Sequence, residues 1–209
     1  MSDVYKRHAP FHSLYIKEIA EEIRSYGGNS IANVIRGGGP SYRSVVRDVA
    51  KKLKTDHARK ATTEEMEMSI LLKIVDDAWT TFSDDEKRSF FKSLGVKGAQ
   101  KIPSIFPTIA VQAAIRMSGF SAYQIAILVA NAMAKRVLGH GLRMGANAAL
   151  TRTVGALTGP IGWVITGLWT IVDIAGPAFR VTIPSVIHVA MLRQKQKAST
   201  QEDVVIIDP

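Results

Sequence analysis

Five histidines, at positions 8, 12, 57, 140 and 188, are the residues best suited to acid–base or metal chemistry in a 209-residue chain that contains no cysteine. Without a thiol there is no disulfide, no thiolate zinc site and no sulfur nucleophile. None of the five falls in the His-Glu-x-x-His frame that sets two imidazoles and a carboxylate on one helix face, so no zinc helix and no metal site is expected. Imidazole titrates near neutrality, which would suit a pH response. His140, in Leu138-Gly139-His140-Gly141-Leu142, and His188, in an apolar arm, read instead as interior rings satisfied by neighbouring backbone.

Carboxylates cluster at Glu64-Glu65, Asp76-Asp77 and Asp84-Asp85-Glu86, where a general acid–base pair could be built. Two clusters stand at helix starts, where negative charge complements the helix dipole. Asp76-Asp77 follows an apolar run with no partner at catalytic spacing, so all three read as solvated helix faces. The Gly37-Gly38-Gly39-Pro40-Ser41 loop, with Arg36 and Arg43 nearby, is the candidate phosphate cradle. It lacks the Gly-x-x-x-x-Gly-Lys-Ser/Thr spacing, and Pro40 has no amide hydrogen to give, so it reads as a tight turn between helices. No nucleophile–base pair and no cofactor signature remains. The chain is read as non-enzymatic, with no catalytic residues and no cofactor.

The elements carrying these residues read as helices. Phe11, Leu14, Tyr15, Ile19 and Ile23 recur at helical spacing, and the run ends at Tyr26-Gly27-Gly28. A short helix is expected through Ile31, Val34 and Ile35, and another through Tyr42, Val45, Val46, Val49 and Leu53, with Lys51, Lys52 and Lys54 at its end. Residues 54–61 read as a linker. Thr62 with Glu65, and Ser83 with Glu86, have the capping-box spacing. Met66, Ile70 and Ile74 share a face of the first helix so capped, and Phe82, Phe90, Phe91 and Leu94 supply aromatic core to the second. Hydrophobic residues at 46% and charged residues at 22% suit a folded chain. The expected fold is an all-α helical bundle with a central apolar helical hairpin in its C-terminal half.

Three regions follow: a soluble amphipathic helical domain over 1–100, an apolar Ala/Gly-rich hairpin domain over 101–193, and a polar tail over 194–209. Ala122, Ala126, Ala130 and Ala134 recur every fourth residue, as do Gly141 with Gly145 and Gly155 with Gly159, a spacing that lets helix backbones approach closely. Val154 to Ala175 carries one charge, Asp173, with Trp163, Gly167 and Trp169 within it. Its length matches the roughly 20 residues of a bilayer span. Gly176-Pro177 would turn the chain, and an Asp173–Arg180 ion pair would fix the corner. The first 30 residues lack the apolar core of a secretory signal peptide.

Charge is divided unevenly. The net +9 is spread through residues 1–101 as 18 basic against 14 acidic side chains, whereas residues 102–209 hold 9 against 4. A nucleic-acid surface would show a dense basic stripe with aromatics; here basic residues are sparse and flank apolar runs. Nucleic acid is therefore not an expected partner, and anionic lipid is, through Arg143, Arg152, Arg193, Lys195 and Lys197. On residues alone the expectation is a membrane-active protein whose hairpin associates with or inserts into membranes, of the pore-forming toxin or defence-effector kind, as a homo-oligomer. It would be cytoplasmic or inner-membrane associated. Its acidic and β-branched tail, Glu202 to Pro209, would offer a strand to a protein partner or fold back onto its own domain.

The segment Tyr26-Gly27-Gly28-Asn29-Ser30-Ile31-Ala32-Asn33-Val34-Ile35-Arg36-Gly37-Gly38-Gly39 continues to Tyr42-Arg43 and to Asp48-Val49-Ala50-Lys51-Lys52-Leu53-Lys54. With Val137–Leu142 and Phe179-Arg180-Val181-Thr182-Ile183-Pro184, it resembles the YaaW-type family of bacterial proteins. The resemblance implies a grouping with the ubiquinol–cytochrome c chaperone domain, an all-helical module tied to assembly of a membrane complex, and it implies no catalytic residues. Its functional alternative is a chaperone-like binding module that shelters an apolar partner segment, with residues 102–134 as the wall of the groove.

Overall fold

The computed structural model describes residues 3–9, 11–27, 39–55, 60–96, 104–117, 119–142, 148–175 and 177–205. The described residues are helical and contain no strand, as the all-α reading requires. The helices are α1 (Asp3–His8), a short 3-10 helix (His12–Tyr15), α2 (Ile16–Tyr26), α3 (Tyr42–Lys52), α4 (Thr63–Trp79), α5 (Asp84–Ser93), α6 (Thr108–Met117), α7 (Gly119–Leu138), α8 (Ala148–Ala175) and α9 (Pro177–Val205).

Both capping boxes form. Thr62 N–H donates to Glu65 Oε2 at 2.6 Å while Glu65 N–H donates to Thr62 Oγ1 at 3.2 Å, and Ser83 with Glu86 repeats the arrangement. Each box satisfies amides that the first helical turn leaves without an acceptor. The single apolar face expected from Phe11 to Ile23 is interrupted. Phe11 and Leu14 lie exposed around the 3-10 helix, Tyr15 is buried, and Ile19 and Ile23 are half-buried. The expected helix through Ile31, Val34 and Ile35 falls outside the described residues.

The core is organised around α7, which packs most extensively against α9 and α8. From Ser121 to Ala134 it is buried almost all round, as a helix apolar on every side must be. The alanines at 122, 126, 130 and 134 lie within that stretch, and all four are buried. From α8 come Val154, Leu157, Ile161 and Ile165, and from α9 Ile183, Val186, Ile187 and Ala190. Met66, Ile70, Ile74 and Val75 of α4 join the same cluster, so one continuous core draws on both halves of the chain.

A buried polar junction pins α7, α8 and the turn after α7. Asn131 Nδ2 donates to Thr158 Oγ1 at 3.0 Å, and Leu142 N–H donates to Asn131 Oδ1 at 2.9 Å. Gly141 passes so close that an added Cβ would stand 2.5 Å from Asn131 Oδ1. Asn131 cannot move aside without giving up one of these bonds. Gly141→Ala is therefore expected to destabilise the fold by about 1–3 kcal/mol, the cost of leaving a buried polar group without its partner. Thermal melting of the variant checks this; an unchanged melting temperature would show that Asn131 is not held.

The apolar run Val154–Ala175 is not a membrane span. No helix among the described residues is long and apolar enough to cross a membrane. The physical reason lies in how α8 divides its faces. Among its described side chains, Val154, Leu157, Ile161 and Ile165 turn inward and Val164 and Leu168 are half-buried, while Gly155, Gly159, Thr166 and Gly167 face outward with Trp163, which is 75% exposed. Apolar length here serves the core of a helical bundle.

Candidate functional site

The residues that suggested chemistry are occupied with structure. Glu65 and Glu86 cap helices, and the Thr62 backbone and side-chain hydrogen bonds hold the Glu65 carboxyl below its usual range. Asp77 pairs with Lys73 one helical turn away. Arg43 donates to Ala61 O at 2.6 Å, away from the glycine loop. Gly37 and Gly38 lie outside the described residues. Gly39 is gripped instead of gripping: Arg24 donates to Gly39 O and to Pro40 O, both at 2.9 Å, and an added Cβ on Gly39 would meet Arg24 O at 2.2 Å. Gly39 and Pro40 are thus held against the end of α2.

His140 and His188 are exposed, contrary to the interior reading. Glycines at 139 and 141 end α7 and put the His140 ring on an outer turn, where Nδ1 lies 3.1 Å from Gly141 O. His8 and His12 are four residues apart, a spacing that one helix would align, but α1 ends at His8 and the next helix begins at His12. Among the described residues no three His, Asp or Glu side chains stand together in a way that could hold a metal ion.

The structure separates the residues expected at a membrane. Arg143 and Gly145 lie outside the described residues, as do the side chains of Arg152, Trp169 and Asp173, and with Asp173 the expected ion pair to Arg180. Among the described residues, nothing lies within 4 Å of a Cβ added at Gly155, Gly159 or Gly167. Lys195 is exposed. Arg193 and Lys197 pair with carboxylates. Arg193 Nε donates to Glu67 Oε2 at 2.8 Å, Tyr42 O–H donates to Glu67 Oε1 at 2.8 Å, and Lys197 reaches Glu64 at 2.6 Å.

These contacts clamp the far half of α9, which continues as helix to Val205, onto α4 and α3. Burial pushes Glu64 up, but hydrogen bonds from Lys197 and Gln194 outweigh it and hold the carboxyl below its ordinary range. Burial pushes the Tyr42 hydroxyl far above the usual tyrosine value, and the Glu67 charge and hydrogen bond add to that. Sequence reading missed the clamp because its partners are 126 residues apart; a lone Glu67 on the apolar side of α4 was the one available signal.

Two surface features remain. The first is a row on α6. Val111 and Ala114 face the core, while Ile109 is 85% exposed and Met117 88% exposed, with Ala113 between them and Ile105, 80% exposed, just before the helix. The row belongs to the 102–134 region read as groove wall. The second is a cavity of about 520 Å³ between the ends of α2 and α3 and the start of α9. Three of the segments that carry the family resemblance contribute to it, through Tyr26 and Gly27, through Asp48, Lys51, Lys52 and Lys54, and through Phe179 and Thr182; Val137–Leu142 does not.

The fold is an all-helical bundle with an ionic clamp between distant helices and an exposed apolar row on α6. The chain belongs to the ubiquinol–cytochrome C chaperone family, whose model matches residues 15–188. Among its relatives is a UPF0174 protein of Helicobacter pylori strain J99, 42% identical over 95% of this chain and 78% of that one. A second UPF0174 protein of Helicobacter pylori is 35% identical over 94% of this chain and 96% of its own length. The UPF0174 protein YaaW of Escherichia coli K12 is 30% identical over 87% of this chain and 72% of its own. No solved structure matches the chain. The resemblance read from the separated segments is thus confirmed. The pore-forming toxin or defence-effector expectation, with its membrane insertion, is overturned by the family match and by the lack of a spanning helix among the described residues.

Proposed function

We propose that this protein is a non-enzymatic, chaperone-like helical binding module that shelters an apolar segment of a partner during assembly of a membrane complex. The observation that carries the reading is the apolar row of Ile109 and Met117 on α6, continued by Ile105 in the segment just before the helix, three large apolar side chains at least 80% exposed. Scattered exposed apolar residues are ordinary on a protein surface, but a row at helical spacing is the form in which an amphipathic or apolar helix is received. The family's description, a ubiquinol–cytochrome C chaperone, supports this reading, and the client we propose is an apolar helical segment of such a complex. Binding would bury these side chains and take them out of water, with no chemical step.

The test is titration of a labelled apolar helical peptide, patterned on a membrane-complex subunit, into the purified protein and into an Ile105→Ser, Ile109→Ser, Met117→Ser variant. Each side chain buried is worth about 1.5–3 kcal/mol before the costs of association, so the variant should bind at least about tenfold more weakly. Its melting temperature should stay where it is, because the three side chains contribute little to the core. Equal binding by the variant sinks the proposal. Sedimentation of the free protein separates a second copy covering the row from a client.

A further inference from the structure

The cavity between α2, α3 and α9 is independent of the α6 row, and its chemistry is different. Three lysines, Lys51, Lys52 and Lys54, line it within one turn of chain at the end of α3. Its remaining lining is mainly apolar, with Val45 buried, Phe179 half-buried and Tyr26 at the mouth. Asp48 is the one acidic side chain among the described lining residues, and Thr182 spends its hydroxyl proton on Ala178 O at 3.0 Å. Lys52 Nζ stands 5.6 Å from the centroid of the Phe179 ring, placing a cation directly against the apolar wall. None of the three lysines forms an ion pair among the described residues.

The helix dipole accounts for part of this, since cations favour the last turn of a helix. It explains Lys51 and Lys52 but not Lys54. Lys54 holds φ at +53°, the one positive φ outside glycine among the described residues. It sits just past the helix end, where Thr55 N–H reaches back to Ala50 O at 3.0 Å, and glycine is the unstrained residue for that place. A lysine kept in a conformation that suits glycine, with its side chain lining a cavity, points to use of the ammonium group.

We infer that this cavity binds a small anionic amphiphile, its carboxylate head held by Lys51, Lys52 and Lys54 and its apolar body laid against Phe179, Val45 and Tyr26. About 520 Å³ falls within the roughly 300–1,000 Å³ of small-molecule sites, which suits one acyl-sized body. Asp48 leaves a surplus of two positive charges at the rim, enough for a single negative head and a reason to reject cationic amphiphiles.

The probe is dodecanoate below its micelle concentration, titrated by calorimetry against the full chain, with dodecanol and dodecyltrimethylammonium as neutral and cationic counterparts. Dodecanoate should bind at least about tenfold more tightly than either, and its affinity should fall as salt rises. Lys54→Gly relieves the backbone and so cannot fail through strain; with Lys51→Gln it should weaken dodecanoate at least about tenfold while melting no lower than the parent. Ile109→Ser should bind dodecanoate as the parent does, which keeps this site distinct from the α6 row. The proposal is overturned if dodecanol binds equally well, if the lysine variants keep their affinity, or if only Ile109→Ser loses it.

Discussion

Trp79→Ala is expected to lower stability by about 3–5 kcal/mol, the range for deleting a large aromatic side chain from a packed core. Trp79 is 1% exposed and stands at the hub of an aromatic cluster. Its ring lies 5.6 Å from Phe82, 5.9 Å from Phe90, 5.4 Å from Phe91 and 5.4 Å from Phe106, centroid to centroid. Three of these contacts are edge-to-face, with interplanar angles of 66–71°, the arrangement that aromatic quadrupoles favour. One ring therefore ties the end of α4 to α5 and to the segment of chain entering α6. Truncation leaves a void bounded by four rings that belong to three different segments, which limits how far the site can collapse. At about 2–4 °C per kcal/mol, melting should fall by about 6–20 °C, followed by circular dichroism because the substitution removes a fluorophore. Trp79→Ala with Phe106→Ala should cost less than the two single changes added together, since each has already broken the same contact. A loss under about 1 kcal/mol would mean that the rings close over the gap.

Capping boxes and aromatic core positions were legible in the sequence because both are local. Thr62 and Glu65 need only each other, and Phe90 and Phe91 follow from the spacing of one short helix. The failures have a common origin in direction and distance. The run Val154–Ala175 is apolar enough in sum to suggest a span, but composition does not say which face each residue takes. Val154, Leu157, Ile161 and Ile165 face α7 and α4, and the exposed positions among the described residues of the run are Gly155, Gly159, Trp163, Thr166 and Gly167. Arg193 and Lys197 carried a plausible charge pattern for lipid, and no local signal names Glu67 and Glu64, more than a hundred residues upstream, as their partners. The α6 row is the reverse case. Its four-residue spacing is visible in the sequence, but the same spacing describes a buried face, and only the placement of α6 against α7 shows that Val111 and Ala114 take the core while Ile109 and Met117 do not.

Glu67→Ala should cost about 3 kcal/mol, in the range for breaking a buried ion pair by removing one partner. Glu67 is 1% exposed, so its carboxylate has little water to fall back on and depends on Arg193 and Tyr42 for compensation. Its loss leaves the Tyr42 hydroxyl buried without an acceptor and Arg193 without its carboxylate, and it frees α9 from α4 at that level. Glu67→Gln keeps an acceptor for Tyr42 and should recover about half of the loss; equal costs for both substitutions would assign the effect to packing and not to charge. Alkali probes the same cluster. The folded chain holds the Tyr42 proton more tightly than the unfolded chain, whose tyrosines titrate near pH 10. The stability contributed by this difference is complete below about pH 10 and is lost as pH rises further, because ionising the buried hydroxyl beside Glu67 sets two negative groups against one guanidinium. Tyr42→Phe should therefore melt lower than the parent at pH 8, lacking the hydrogen bond, yet lose less on going to pH 11. Surface lysines titrate in both proteins, so the difference between the two slopes isolates Tyr42, and parallel slopes would remove the hydroxyl from the account.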